Sequence, residues 1–140
     1  MRDASILHAL VEIGGELVGR GIRPDGDPWW VDLESPQGLT LPPLRIALHG
    51  QAVATSGDYR RGAHPLDPRT GRPIKTGVVS VSVIHQTALD ADAWATALTV
   101  LGPDGLGLAD DHGIAARLVA MIDGQPQEYV TPALAEMIDA

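Results

Sequence analysis

The chain has 140 residues and a mass of 14.7 kDa, and its 44% of hydrophobic residues is enough to close one core of ordinary domain size. A formal charge of -8 and an isoelectric point near 4.8 surround it with a negative field that repels phosphate backbones and anionic headgroups, which argues against nucleic-acid and membrane-surface binding. The absence of cysteine excludes disulfides, thiolate metal sites and thiol catalysis.

With three Trp, two Tyr and no Phe, the core has to be built from Val, Leu, Ile and Ala, which favours a β-branched layer packed on Ala-rich helices. No stretch approaches the roughly 20 apolar residues of a membrane span. Met1–Gly15 lacks the basic region, long apolar run and cleavage site of a secretory signal. The run Leu10–Leu17 reads as the middle of a strand and turn, so the sequence is expected to be a fragment of a longer protein.

Glycine and proline divide the first two thirds into short extended pieces, with strands predicted at Leu10–Ile13, Trp29–Glu34, Leu44–Leu48 and Val78–His85. In the second, Trp29, Val31 and Leu33 alternate with Trp30, Asp32 and Glu34, the period of a sheet with one wet face, so Trp29 is expected in the core and Trp30 on the surface. Pro24–Pro28 is turn sequence and predicts a hairpin-like return between the first two strands. Further on, Leu89, Ala93, Ala97 and Leu101 recur at helical spacing and predict a helix over Asp90–Leu101, stopped by Gly102–Gly105. A second helix is predicted from about Ile114 to Ile122, and a third opens at Thr131-Pro132, where Thr can cap and Pro suits the first turn. Strands followed by helices give an α+β class, one domain over residues 1–140 with an antiparallel or mixed sheet packed on C-terminal helices.

Three segments carry groups able to do chemistry. Ala54–Arg61 places Thr55 and Ser56 before Gly57, followed by Tyr59; it reads either as a polar turn or as a ligand-contacting loop. His64–Pro73 is stiffened by prolines and holds His64, Asp67 and Arg69 close together, with His64 suited to proton transfer near neutrality; Asp67 equally suits a turn that receives loop amides. In Ala91–Leu98, Asp92 and Thr96 are four apart, so on a helix their oxygens converge between small alanines. One anionic and one neutral oxygen suit Mg2+, although Asp90 and Asp92 near a helix start are also what the macrodipole favours. His8, His49, His85 and His112 form no metal-ligand spacing, His85 is expected at the rim of a strand, and Gly14-Gly15 alone is no phosphate fingerprint.

In order and spacing, Leu10–Leu17, Thr55–Arg60, His64–Gly71, Ser80–Ile84, Ala91–Leu98 and Val100–Gly102 resemble the FAD:protein FMN transferase (ApbE) family, and specifically its C-terminal half. The resemblance implies half of an ApbE-type fold and an enzyme that uses Mg2+ and FAD, releases AMP, and joins FMN to a Thr or Ser hydroxyl of an acceptor flavoprotein. It implies that Asp92 and Thr96 are magnesium ligands and that His64 takes the proton of the incoming hydroxyl. Ser56, Gly57, Tyr59, Pro65 and Leu66 then line the flavin-nucleotide cleft. Members of the family are more than twice this length, and their N-terminal half supplies further contacts to flavin, adenine and metal. The four residues Arg60–Ala63 between Tyr59 and His64 are fewer than the family's usual hairpin-like stretch. Many relatives are exported lipoproteins; the chain itself encodes no such signal. Two other activities fit the same residues: a non-catalytic flavin-binding module, and hydrolysis of FAD to FMN and AMP. A sheet edge or apolar face left by the missing half would favour a homo-oligomer.

Overall fold

The computed structural model describes residues 9–13, 16–20, 26, 29–33, 41, 44–48, 50–56 and 77–138. Eight strands fall among them: β1 Ala9–Ile13, β2 Glu16–Arg20, β3 Trp29–Leu33, β4 Leu44–Leu48, β5 Gln51–Ser56, β6 Val78–His85, β7 Ala115–Ile122 and β8 Gln125–Val130. The helices are α1 Ala88–Leu101, α2 Leu106–Asp111 and the single turn α3 Pro132–Ala135, with a 3-10 turn at Gly102–Gly105 joining α1 to α2. Six strands form one sheet in the order β1-β2-β5-β6-β7-β8, every neighbouring pair antiparallel, and β3 and β4 form a separate two-stranded sheet. The class is α+β, as the sequence indicates.

Alternation along the central strands builds two cores, one on each face of the large sheet. On one face Ala54, Val81, Val83, Ala116, Leu118 and Ala120 meet Ala91, Ala95 and Leu98 of α1 and Ala109 of α2. On the other, Val53, Ile84 and Ala115 meet Val31, Leu33, Ile46 and Leu48 of the β3–β4 sheet and Leu134 of α3. Aliphatic and alanine side chains thus make both layers, as the shortage of aromatics requires. Trp29 packs against the second core and Trp30 faces solvent. Gly19 is needed where β2 passes β4, since a Cβ there would lie 3.1 Å from the Leu48 Cβ.

Beyond the Val53–Ile84–Ala115 row, the second face of the sheet turns polar. Thr55 and Ser82 are register partners whose hydroxyls lie 2.9 Å apart, and Arg117 is the next partner across. Arg117 is only 1% exposed, and its Nε and Nη2 donate to one carboxylate oxygen of Glu128 at 2.8 and 2.7 Å. By contrast, the Arg45–Asp32 pair on the β3–β4 sheet is exposed. The Arg45 hydrogen bond holds the Asp32 carboxyl below its ordinary range, but such a pair contributes little to stability.

Several sequence expectations need correction. Ile114–Ile122 is not a helix: Ala115–Ile122 is β7, buried between β6 and β8. A strand covered on both faces is an unbroken apolar run, and periodicity cannot separate it from a buried helix. Pro24–Pro28 does not return a hairpin between the first two predicted strands. β1 pairs instead with β2, and β3 pairs with β4 in the other sheet. Ala54–Ser56 belongs to strand β5 and not to a turn, and α2 and β8 are elements the sequence reading lacked. The third helix does start at Thr131-Pro132, but the Thr131 hydroxyl makes no cap bond. It donates to the Ile114 carbonyl at 2.7 Å and accepts from the Ala116 N–H at 2.9 Å, tying α3 to the start of β7.

Two glycines with left-handed backbone separate conformational from steric cost. Gly77 (φ +76) opens β6, its carbonyl accepts from the Met121 N–H at 2.8 Å, and an added Cβ would stand 2.6 Å from the Met121 carbonyl oxygen. Gly113 (φ +65) has open space around it. Gly113→Ala should cost about 1 kcal/mol, the left-handed penalty alone, and Gly77→Ala about 3 kcal/mol because the backbone must also shift; urea denaturation of both variants measures the difference. In the same assay Glu128→Ala, which takes a carboxylate from a buried guanidinium, should cost about 3 kcal/mol. Arg117→Met should cost less.

Candidate functional site

Helix α1 is started and stopped by local chemistry. Thr87 is its N-cap in extended conformation, with Oγ1 accepting from the Asp90 N–H at 3.1 Å and donating to the Asp90 carboxylate at 3.0 Å. Both bonds run through the Thr87 hydroxyl, so this is a threonine N-cap with Asp in the third helical position, and not the full capping box, in which that side chain would accept from the N-cap N–H. At the other end Gly102 (φ 70) donates its N–H to the Leu98 carbonyl and ends the helix. Between them Ala91, Ala95, Leu98 and Thr99 are buried, and the small inner side chains let α1 lie close on β5 and β6. Thr99 turns its hydroxyl to the Ala95 carbonyl at 2.7 Å.

The cap resolves two readings that the sequence leaves open. Asp90 is occupied with Thr87, and its carboxylate also lies 3.7 Å from His85 Nδ1, which accepts from the Gln86 N–H. Asp92 stands beyond the first turn, where the macrodipole has faded, and takes no part in the cap. Both Asp92 and Thr96 are exposed, and neither has a hydrogen-bond or ion-pair partner among the described residues. Four residues apart on a helix, their Cβ atoms are about 5–6 Å from each other.

The flank they occupy follows from helix geometry. Trp94 contacts the ring of His112 at the end of α2, with centroids 5.4 Å apart and planes tilted by 54°, and α2 packs toward β7. At about 100° per residue, Thr96 is about 160° round the helix from Trp94 by the shorter path, and Asp92 sits about 40° from Thr96. Asp92 and Thr96 therefore point toward the β5–β2 side of the sheet, which α1 also reaches. Ser56, the last residue of β5, is the register partner of Val81 and shares the α1 side of the sheet with Ala54. It lies about 14 Å along β5 from Ala52, and Thr96 about 12 Å into α1, so strand end and helix middle come to a similar height.

Three of the residues singled out in the sequence, Ser56, Asp92 and Thr96, thus lie on one side of one sheet. His64, Gly57, Tyr59, Pro65 and Leu66 lie outside the described residues. His85 is a half-buried residue at the end of β6, as expected of a rim position. Among the described residues no group of three or more His, Asp or Glu side chains is placed to hold a metal. Asp92 and Thr96 still fit a hard divalent cation such as Mg2+, which takes one or two protein oxygens and fills its remaining positions with water and substrate phosphate.

Solved structures share this architecture. The flavinyl transferase ApbE of Pseudomonas stutzeri, in its apo form, superimposes with a TM-score of 0.86 at 39% identity over 97% of this chain and 47% of its own. The flavin transferase ApbE of Vibrio cholerae gives 0.83 at 33% identity, over 97% of this chain and 46% of its own. In sequence, the FAD:protein FMN transferase of Escherichia coli (strain K12) is 42% identical over 113 residues, 74% of this chain and 32% of that protein. The protein of the same name from Vibrio cholerae serotype O1 is 36% identical over 141 residues, 94% of this chain and 42% of that protein. The model of the ApbE family matches residues 1–118, and the chain belongs to that family. It spans about a third to a half of the length of these relatives.

If the cap and the Asp92–Thr96 pair are separate devices, they should separate in the laboratory. Thr87→Ala should lower stability by about 1 kcal/mol while leaving the affinity for Mg2+, read by calorimetric titration, within about twofold of the parent. A tenfold loss of Mg2+ affinity in that variant would show that the cap and the Asp92–Thr96 pair are one device.

Proposed function

We propose that this chain is the magnesium-carrying C-terminal part of an enzyme that transfers FMN from FAD to a Thr or Ser hydroxyl of an acceptor flavoprotein, with AMP as the leaving group. The observation that supports this most directly is the Asp92–Thr96 pair, exposed and without a partner among the described residues, on the flank of α1 beside the end of β5. The names of the matched relatives supply the reaction, FMN transfer from FAD to protein.

In this reading the acceptor oxygen attacks the phosphorus of the FMN moiety, the P–O bond to AMP breaks, and the hydroxyl proton leaves. His64 takes that proton, a contribution of typically about 10²- to 10⁴-fold. Asp92 and Thr96 hold Mg2+, and the cation when bound neutralises diphosphate charge that the protein's own field of -8 would otherwise repel. Ser56 and the residues that follow it, Gly57 and Tyr59, line the nucleotide cleft with Pro65 and Leu66. The remaining contacts to FAD come from the part of the enzyme that precedes this chain in its relatives. Acceptor hydroxyl and water differ only as nucleophiles, so FAD hydrolysis is the side reaction to expect when no acceptor is present.

Asp92→Ala and Thr96→Ala in the full-length protein should each weaken Mg2+ binding by about tenfold or more, measured by titration without turnover. Transfer of FMN at limiting Mg2+, followed by in-gel flavin fluorescence of the acceptor, should fall in parallel. Unchanged Mg2+ affinity in both variants would defeat the metal assignment, and wild-type protein that yields FMN and AMP but no labelled acceptor would make it a hydrolase.

A further inference from the structure

The formal charge is divided unevenly along the chain. Residues 77–140 carry nine acidic side chains and a single basic one, Arg117, a net of -8, while residues 1–76 carry nine of each sign. Arg117 is buried against Glu128, so among the described residues from 77 to 138 no Lys or Arg reaches the surface.

On this acidic part lies an open sheet edge. Among the described residues β8 pairs with β7 on one side only. The Thr131 N–H donates to the Ala116 carbonyl at 3.0 Å, so by antiparallel alternation Glu128 and Val130 turn their N–H and C=O groups away from β7. Pro126 is the next outward position and has no N–H to offer, which limits the open edge to two residues. Beside this edge runs a groove of about 450 Å³ between β8 and α2, with Leu106, Tyr129 and Pro132 as apolar surface and Asp110 in its wall. Gly107 keeps that wall low, and a Cβ there would meet nothing within 4 Å.

We infer that this groove binds an extended, basic segment of a partner polypeptide, added to β8 as a short strand. Outward N–H and C=O groups on alternate residues match a peptide backbone, and the apolar surface accepts every second side chain. The carboxylate of Asp110, within a region that holds the whole negative charge, selects a Lys or Arg and disfavours an anionic ligand. An edge open over two residues gives few main-chain bonds, which suits a partner that must leave after each turnover. The groove lies roughly 14 Å, three strand spacings of about 4.8 Å, from β5 beneath α1. A grip on the acceptor at that distance leaves its hydroxyl free for the reaction. That last assignment rests on the transferase reading; the binding of a basic strand does not.

The test uses the isotope-labelled 140-residue chain without FAD, titrated with the peptide Lys-Val-Thr-Val-Lys-Val and with its counterpart in which both Lys are Glu. The Lys peptide should give saturable amide shifts centred on Gly107, Asp110, Glu128 and Val130, and the Glu peptide should bind at least about tenfold more weakly. Gly107→Leu, which fills open space, should weaken the Lys peptide about tenfold or more, and Asp110→Lys should reverse the preference between the two. Equal binding of both peptides, shifts centred on α1, or no saturable shift would overturn the inference. So would concentration-dependent shifts at the same amides without peptide, since a second copy would then occupy the edge.

Discussion

The pairing proposed for Asp92 and Thr96 depends on how closely α1 can approach the sheet. Ala91 and Ala95 face Ala54, Val81 and Val83, so helix and strands meet through methyl groups and branched aliphatics with no long side chain between them. Dense packing of this kind fixes rotation as well as distance, because turning the helix would bring Asp92 or Trp94 into a space that alanine fills. Rotation is the quantity that matters chemically. With Ala95 pinned inward and Trp94 against His112, Asp92 and Thr96 have only the opposite flank to occupy.

The two ends of α1 serve the same purpose by separating charges that look alike in sequence. Asp90 and Asp92 are two residues apart, yet one is held by the Thr87 N-cap hydroxyl and the other, in the next turn, has no partner among the described residues. A carboxylate committed to the Thr87 hydroxyl is a poor candidate for an ion, whereas an exposed carboxylate beside a hydroxyl costs little to recruit because its solvation is exchanged for coordination. Placement in the helix, more than acidity as such, thus decides which of the two can be a ligand.

Legibility in the sequence followed the type of burial. Strands with one wet face, such as Trp29–Leu33, were readable by their period; the helix was readable too, but Leu89, Ala93 and Leu101 of the spacing that suggested it are exposed, and the face in the core is Ala91, Ala95 and Leu98. Ala115–Ile122 was not, because both of its faces are covered and its residues carry no alternation for a reader to detect. Arg117 in its midst lies buried and paired with Glu128. β5 was hidden for a related reason: Ala52, Val53 and Ala54 are all buried, and the hydroxyls of Thr55 and Ser56 imitate a turn although Thr55 answers Ser82 across the strands. Of the site, the Asp92–Thr96 spacing was legible because helix geometry converts it directly into adjacency. The pairing of that flank with the end of β5 is a matter of sheet order, which no local pattern encodes.

The uneven charge gives the two sides of α1 different electrostatic tasks. The region carrying Asp92 is the one that holds the whole net charge of -8, a field that favours a cation and opposes a free phosphate. Dinucleotide binding would consequently be coupled to metal occupancy, and the field would relax only as the cation arrives. On the far side of the helix, past Trp94 and α2, no phosphate has to be accommodated, and the same negative field can act unopposed at the β8 edge on a basic chain. On the two proposals made for this chain, one charge distribution would serve two ligands of like sign, a small cation and a cationic peptide, on opposite sides of α1.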